Sequence, residues 1–336
     1  MRMKRALTLM GVLFATVLTG AQAASVNEYP LPPPGSRLIG ENTIYNVPND
    51  GRSLEAIAAD YKIGLLGMLE ANPGTDPYLP KPGTALTIPS QMLLPDTPRE
   101  GIVVNLAELR LYYYPKGEDK VIVYPIGIGQ TGMHTPLKVT SVSQKIPNPT
   151  WTPTANIRKR YESQGVTLPA VVPAGPENPM GLFAMRLAMG RGEYLIHGTN
   201  ANFGIGMRVS SGCIRLRPDD IEALFNMVPK GTRVQIINEP VKVSAEPDGK
   251  RYVEVHQPLS RVDSDDPQTM PISLSKNQKA FAADEQTDKA EFDSAMVRRS
   301  GMPVLVSVGQ DPSAVSMAPQ SVNKGTTGGA PITSLN

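Results

Sequence analysis

The sequence predicts a mainly β protein in three parts: a β-sandwich-like central domain, a small βααβ domain before it, and a small α+β extension after it. Three observations carry this. Short apolar runs at Ile102 to Asn105, Arg110 to Tyr114, Val121 to Pro125, Lys138 to Ser143, Tyr194 to His197 and Arg233 to Ile237 are separated by Gly- and Pro-rich breaks. Ahead of them, residues 43–90 switch between strand and helix periodicity twice. Behind them, residues 239–306 mix strand-like pieces with a helical stretch near 277–298.

In the first unit, a strand at Ile44 to Val47 meets a turn at Asn49-Asp50-Gly51. A helix is predicted from Leu54 to Tyr61 with Ser53 as its N-cap, a second from Leu65 to Ala71, and a closing strand from Ala85 to Ile88. Leu54, Ile57, Ala58 and Tyr61 recur at helical spacing and should form its core. An extended lead-in (24–42) with Pro30, Pro32, Pro33 and Pro34 precedes this unit, and Gln91 to Arg99 reads as a linker to the central domain of residues 99–238. From residue 307 to 336 the chain is rich in Ser, Gly, Thr and Pro and is expected to be disordered.

Composition narrows the function. Apolar residues make up 40% of the 336 and charged residues 19%, as in a globular protein with a core. The formal charge is only +2, with no dense basic run interleaved with aromatics, so nucleic acid is not an expected partner. Residues 1–23 have the layout of a secretory leader: a basic start, an apolar stretch from Ala6 to Thr19, and Ala21-Gln22-Ala23 as the cleavage site. That stretch falls short of the roughly 20 residues a bilayer crossing needs. Export is therefore expected. An exported chain that keeps one cysteine, Cys213, has no disulfide to make within itself, and that thiol is either inert and buried or chemically used.

The sequence around it favours use. In Tyr194-Leu195-Ile196-His197-Gly198-Thr199 a strand ends at a histidine, and after a glycine-rich connection comes Ser210-Ser211-Gly212-Cys213-Ile214-Arg215. Acyl transfer through sulfur needs a thiolate, and a nearby imidazole can take the proton. Gly212 permits a tight turn from which backbone amides can point at an oxyanion. Arg217-Pro218-Asp219-Asp220-Ile221 reads as a helix start, and Arg215 could brace to Asp219 or Asp220. His134 and His256 are expected to be a turn residue and a structural residue. Three scattered histidines and one cysteine match no zinc spacing, so no metal or other cofactor is expected. A long Pro-rich excursion, Ile146 through Pro176, contains the only tryptophan, Trp151, as the wall of a lid or as a hydrophobic pin.

Two resemblances add to this reading. Tyr45-x-Val47, Gly51-x-Ser53-Leu54-x-x-Ile57-Ala58-x-x-Tyr61, Leu69-x-x-Asn72-Pro73 and Pro82-Gly83-x-x-Leu86-x-Ile88-Pro89 resemble a LysM module. That implies a peptidoglycan glycan tether with Asn72 and Pro73 on its binding face. The His197-Gly198 pair with Ser210-x-Gly212-Cys213-x-Arg215, preceded by Thr135-Pro136, is similar to the YkuD-type L,D-transpeptidase catalytic domain. The layout as a whole resembles the ErfK/YbiS/YcfS/YnhG group, which implies a periplasmic enzyme that attaches the outer-membrane (Braun) lipoprotein to peptidoglycan stem peptides. The resemblance implies Cys213 as nucleophile, His197 as base with the Gly198 carbonyl orienting it, and Gly212 and Cys213 amides as the oxyanion hole. Arg215, Ser210, Ser211, Tyr194 and Trp151 would contact substrate. Carbapenem-type β-lactams would acylate Cys213. Many members have a second histidine where this chain has Ser211. The rival readings are transfer to another diaminopimelate to give a 3-3 cross-link, a thiol carboxypeptidase or amidase on the same substrate, and a non-catalytic LysM wall-binding protein.

Overall fold

The computed structural model of the chain describes residues 27–201 and 204–310. The leader and residues 311–336 of the expected disordered tail lie outside the described residues. Ser307 lies inside them: it is buried and its Oγ accepts from the Arg251 amide at 2.8 Å, so ordered chain runs past the boundary expected at 307.

In the βααβ unit, strands Thr43–Asn46 and Ala85–Ile88 pair antiparallel around helices α1 (Leu54–Asp60) and α2 (Leu65–Ala71). Ser53 caps α1 by accepting from the Ala56 amide, which satisfies one of the donors a helix start leaves free. Leu54, Ile57 and Ala58 share a core with Val47, Ile63, Met68, Leu86 and Ile88, and Tyr61 packs on it half-buried. Asn72, expected on a glycan-binding face, is buried. Its amide nitrogen donates to the Met68 and Thr87 carbonyls at 2.9 and 2.8 Å, and its oxygen accepts from the Thr87 amide at 2.7 Å. Both amide hydrogens are thus spent tying α2 to the closing strand, because a buried amide must be paired within the protein. Pro73 beside it is exposed.

The central domain is built on nine strands in the order Glu28–Pro30, Lys120–Pro125, Arg110–Tyr114, Gly101–Asn105, Arg233–Ile237, Lys138–Pro147, Phe183–Leu187, Leu195–His197, Ile214–Arg215. The ten-residue strand Lys138–Pro147 joins its two halves. Residues 138–141 pair with Arg233–Ile237, while the remainder pairs with Phe183–Leu187 across a register shift between Val142 and Gln144. A strand that changes partners at a bulge makes the corner of a sandwich. Val234, Ile236, Val142, Met185, Leu187, Ile196 and Ile214 from both halves then close on one core. The lead-in contributes the edge strand Glu28–Pro30, where proline is tolerated.

Alternation explains the aromatic run. Leu111 and Tyr113 face that core, while Tyr112 and Tyr114 face a second core with Val103, Val121, Met92 and Leu94, so these strands are buried on both faces. Helix α3 (Ala155–Glu162) lies within the excursion, and α4 (Pro218–Met227) lays Ile221, Leu224 and Phe225 into the main core. Pro218 occupies the first turn of α4, with Asp219 and Asp220 beside it.

In the extension, strands Val241–Ala245, Arg251–Val255 and Pro303–Leu305 form a sheet covered by α5 (Lys276–Ala283) and α6 (Lys289–Arg298). The single helical stretch expected here is two helices. Asp288 breaks it by capping α6, accepting from the Ala290 and Glu291 amides.

All three units meet at a buried ionic cluster. Glu108 pairs with Lys242 at 2.9 Å and Arg110 at 3.2 Å; Glu254 pairs with Arg110 at 2.9 Å and Lys242 at 3.0 Å. His256 bridges Glu254 at 2.7 Å and Glu70 of α2 at 3.0 Å. Three carboxylates face Arg110, Lys242 and a protonated His256, so the burial of each charge is offset by a partner. Burial opposes the His256 charge, but Glu70 and Glu254 outweigh it and raise its pKa to about 9. Glu108, Glu254 and His256 also lie close enough together to share an ion, but Lys242 and Arg110 already neutralise them.

Candidate active site

Leu195–His197 and Ile214–Arg215 pair in parallel, with Ile196 opposite Ile214 and His197 opposite Arg215. Ile196 and Ile214 point into the main core, where each contributes roughly 1.5–3 kcal/mol by its burial. Because side chains alternate along a strand, His197 and Arg215 share the other face. Sequence thus places a base and a cation side by side on a rigid sheet end, with Cys213 one step before the second strand.

The cysteine sits on a turn held from several sides. Gly212 has φ +106°, a conformation that favours glycine, and an added Cβ would meet the Tyr194 ring at 3.3 Å. Thr135 donates its hydroxyl to the Gly212 carbonyl at 3.0 Å, which gives the upstream Thr-Pro pair a role in the turn. Ser210, expected to touch substrate, is buried: its hydroxyl donates to the Cys213 carbonyl at 2.5 Å and accepts from the Gly212 amide at 3.2 Å. The Gly212 amide is therefore taken by the loop's own brace and is not available to an oxyanion hole. Among the described residues the Cys213 amide has no partner, so it is the turn's available donor. Ser211 is exposed.

The Cys213 thiol donates to the Glu193 carbonyl at 3.4 Å rather than to His197. Burial raises its pKa, opposed by the Leu195 amide and Arg215, while the Glu193 charge adds to the rise. His197 is buried, with Nδ1 2.6 Å from the Gly198 carbonyl. A carbonyl only accepts, so Nδ1 carries the hydrogen and Nε2 keeps its lone pair. Burial and then Arg215 hold the His197 pKa down at about 4, against the Gly198 and Met180 carbonyls that favour its charged form. At neutral pH the resting pair is thus a thiol and a neutral imidazole. Proton transfer between them requires the S–H to leave the Glu193 carbonyl.

Arg215 is half-buried, and its Nε has no partner among the described residues. The brace to Asp219 or Asp220 is not formed. Lys62 of the βααβ unit takes both carboxylates instead, Asp220 at 2.7 Å, leaving Arg215 as a cation beside the thiol. Arg160 and Tyr161 of α3 act on the same guanidinium electrostatically, which sets this helix of the excursion near the site. Trp151 exchanges backbone hydrogen bonds with Val172 at 2.9 and 2.8 Å, closing the excursion on itself. Fully buried Asn178 pins it: its amide donates to the carbonyls of Pro149 and Pro173 at 2.8 and 3.0 Å and accepts from the Met180 amide at 2.8 Å. Sequence reasoning missed Asn178, Glu193, the Leu195 amide and the Met180 carbonyl. Three of these four act through the backbone, which no side-chain pattern reveals. His134 is exposed, and its carbonyl lies beside Gly212.

A thiol on a glycine turn, a neutral histidine at the end of the neighbouring strand and an adjacent guanidinium are the equipment of acyl transfer through sulfur. Comparison with known proteins agrees with that class. Residues 99–236 match the L,D-transpeptidase catalytic domain, and residues 240–306 match the L,D-transpeptidase C-terminal domain. The Escherichia coli K12 protein named "Probable L,D-transpeptidase YcfS" is 62% identical over 87% of this chain and 92% of its own. "Probable L,D-transpeptidase YbiS" of the same strain is 54% identical over 88% of this chain and 97% of its own. The NMR structure of the catalytic domain from E. faecium L,D-transpeptidase acylated by ertapenem is 26% identical, with a TM-score of 0.31 over 41% of this chain and 96% of that one. The chain belongs to the L,D-transpeptidase family, enzymes that act on peptidoglycan.

Proposed function

We propose that this enzyme works in the periplasm and that Cys213 attacks the carbonyl joining diaminopimelate to the terminal D-alanine of a tetrapeptide stem. The observation that carries the reading is the placement of Cys213 and His197 at the ends of neighbouring strands, with Nδ1 of His197 committed to Gly198. His197 Nε2 takes the thiol proton as sulfur bonds to carbon, and the Cys213 amide faces the oxygen on which negative charge develops. Collapse breaks the C–N bond, and the D-alanine amine leaves with the proton from His197. The thioester is then attacked by an amine, which gives its proton to His197 as the thiolate departs and reclaims it.

The acceptor in this proposal is the C-terminal lysine of a Braun-type lipoprotein, and the βααβ unit is a LysM module that engages peptidoglycan glycan. Similarity to the ErfK, YbiS and YcfS group supports the first and the LysM-like motif the second. A carbapenem would acylate Cys213 by the same attack. Incubating the mature protein with a tetrapeptide muropeptide and a peptide ending in lysine tests the acceptor: a joined product that has lost D-alanine is expected. Release of D-alanine without joining would instead favour a hydrolase, and joining of two diaminopimelate stems would favour 3-3 cross-linking.

A further inference from the structure

The βααβ unit touches the chain that links His197 to Cys213. The Leu65 and Leu66 amides of α2 donate to the Ile205 and Gly206 carbonyls at 3.4 and 3.2 Å. The contact is backbone on backbone because both sides are glycine. A Cβ on Gly64 would lie 2.7 Å from the Gly206 Cα, and one on Gly206 would lie 2.4 Å from both the Gly64 Cα and the Leu65 nitrogen. Two tethers flank it: Lys62 holds Asp220, and Arg217 donates to the Ile63 carbonyl at 2.9 Å.

From this contact a continuous series of bonds leads to the nucleophile. The Gly206 amide donates to the Ile126 carbonyl at 3.0 Å, and the Met207 carbonyl accepts from Ile128 at 3.0 Å. Strand Arg208–Ser210 then pairs with Ile128–Gly129, and the Ser210 carbonyl accepts from Gln130 at 2.9 Å. Ser210 in turn braces both Gly212 and Cys213. The connector is held between the central sheet on one side and α2 on the other.

We infer that Gly64 and Gly206 are positioning residues for the reaction: their contact makes the βααβ unit one wall of the connector that sets Cys213, rather than a separately tethered module. The inference rests on Cys213 being the nucleophile. Its chemistry is geometric, since small displacements of a reacting group cost large factors in rate.

Gly64→Ala in the full chain is the direct probe, because Gly64 has an ordinary φ of −83° and the nearest atoms to the added methyl belong to Gly206 and the Pro125 side chain. Gly67→Ala on the same helix, where the methyl finds ordinary contact with Ile63 at 3.6 Å, is the control. Gly64→Ala is expected to lower kcat for D-alanine release at least about tenfold with little change in KM, and to alter the rate at which a small thiol reagent labels Cys213. Its thermal midpoint should fall as well, because the methyl meets backbone that has to shift, and Gly67→Ala should behave as wild type. Wild-type kcat and labelling in folded Gly64→Ala would overturn the inference, as would losses that merely track the unfolded fraction. If Gly64→Ala does not fold, Lys62→Met removes the flanking tether without a clash, and unchanged kcat and labelling there would overturn it equally. Failure of the wild type to release D-alanine would count against the transfer reaction instead, while the labelling rates, which need no substrate, would still decide the positioning.

Discussion

His197 and Arg215 face each other across adjacent parallel strands, and the guanidinium helps keep the imidazole neutral while it favours the Cys213 thiolate. One cation thus acts on both partners of the proton transfer. It makes the histidine a poorer resting base and the sulfur a better acid, so both proton affinities move down together.

Arg215→Met should therefore move two titrations upward. The His197 pKa rises from about 4 toward its ordinary value, and the thiol titrates at a higher pH still than in wild type. Imidazole signals followed by NMR and the pH dependence of Cys213 alkylation check the two separately. An alkylation profile unmoved by Arg215→Met would show that the guanidinium does not reach the sulfur.

Loss of the base should be severe. His197→Ala is expected to lower D-alanine release by about 100- to 10,000-fold, the range over which a positioned general base contributes. Steady-state kinetics with a tetrapeptide muropeptide measures it, and a loss below tenfold would point to another base.

The two buried histidines also predict the pH dependence of stability. The His197 pKa is depressed to about 4, so the unfolded chain binds more protons between there and about 6.5, and its contribution is lost as pH falls through that window. His256 is raised to about 9, so its contribution is complete below about 6.5 and is lost as pH rises through 9. From these two groups, thermal midpoints should be highest near pH 6.5. His256→Gln should lower the midpoint and flatten the alkaline limb between about 6.5 and 9; an alkaline limb of unchanged slope would contradict the assignment.

Asn178→Ala should loosen the excursion without unfolding the sheet. It leaves the Met180 amide and the carbonyls of Pro149 and Pro173 without their partner, at a cost of about 1–3 kcal/mol. Because the Met180 carbonyl also faces His197, activity should fall more than the thermal midpoint does. Faster hydrogen exchange confined to residues 148–182 is the expected signature.

The parts of this molecule legible in its sequence are those with a repeating or capped pattern. Ser53 before Leu54, the spacing of Leu54, Ile57 and Ala58, and Pro218 ahead of two aspartates mark α1 and α4 because capping and amphipathicity are local. Strand Phe183–Leu187 was not legible, since Ala184, Met185, Arg186 and Leu187 all favour helix and only pairing with Lys138–Pro147 makes them a strand. Helix α3 was hidden by the prolines around it. At the site, Cys213, His197 and Gly212 stand out by residue type. Lys62 does not, because its claim on Asp219 and Asp220 depends on how the βααβ unit packs against α4.

The central claim is that Cys213 carries the acyl group. Intact mass measurement of the mature enzyme mixed briefly with a tetrapeptide muropeptide, without acceptor amine, tests it most directly. An adduct equal to the muropeptide less D-alanine, mapped to Cys213 and absent from Cys213→Ala, is the expected result. Release of D-alanine at the same rate by Cys213→Ala would contradict it.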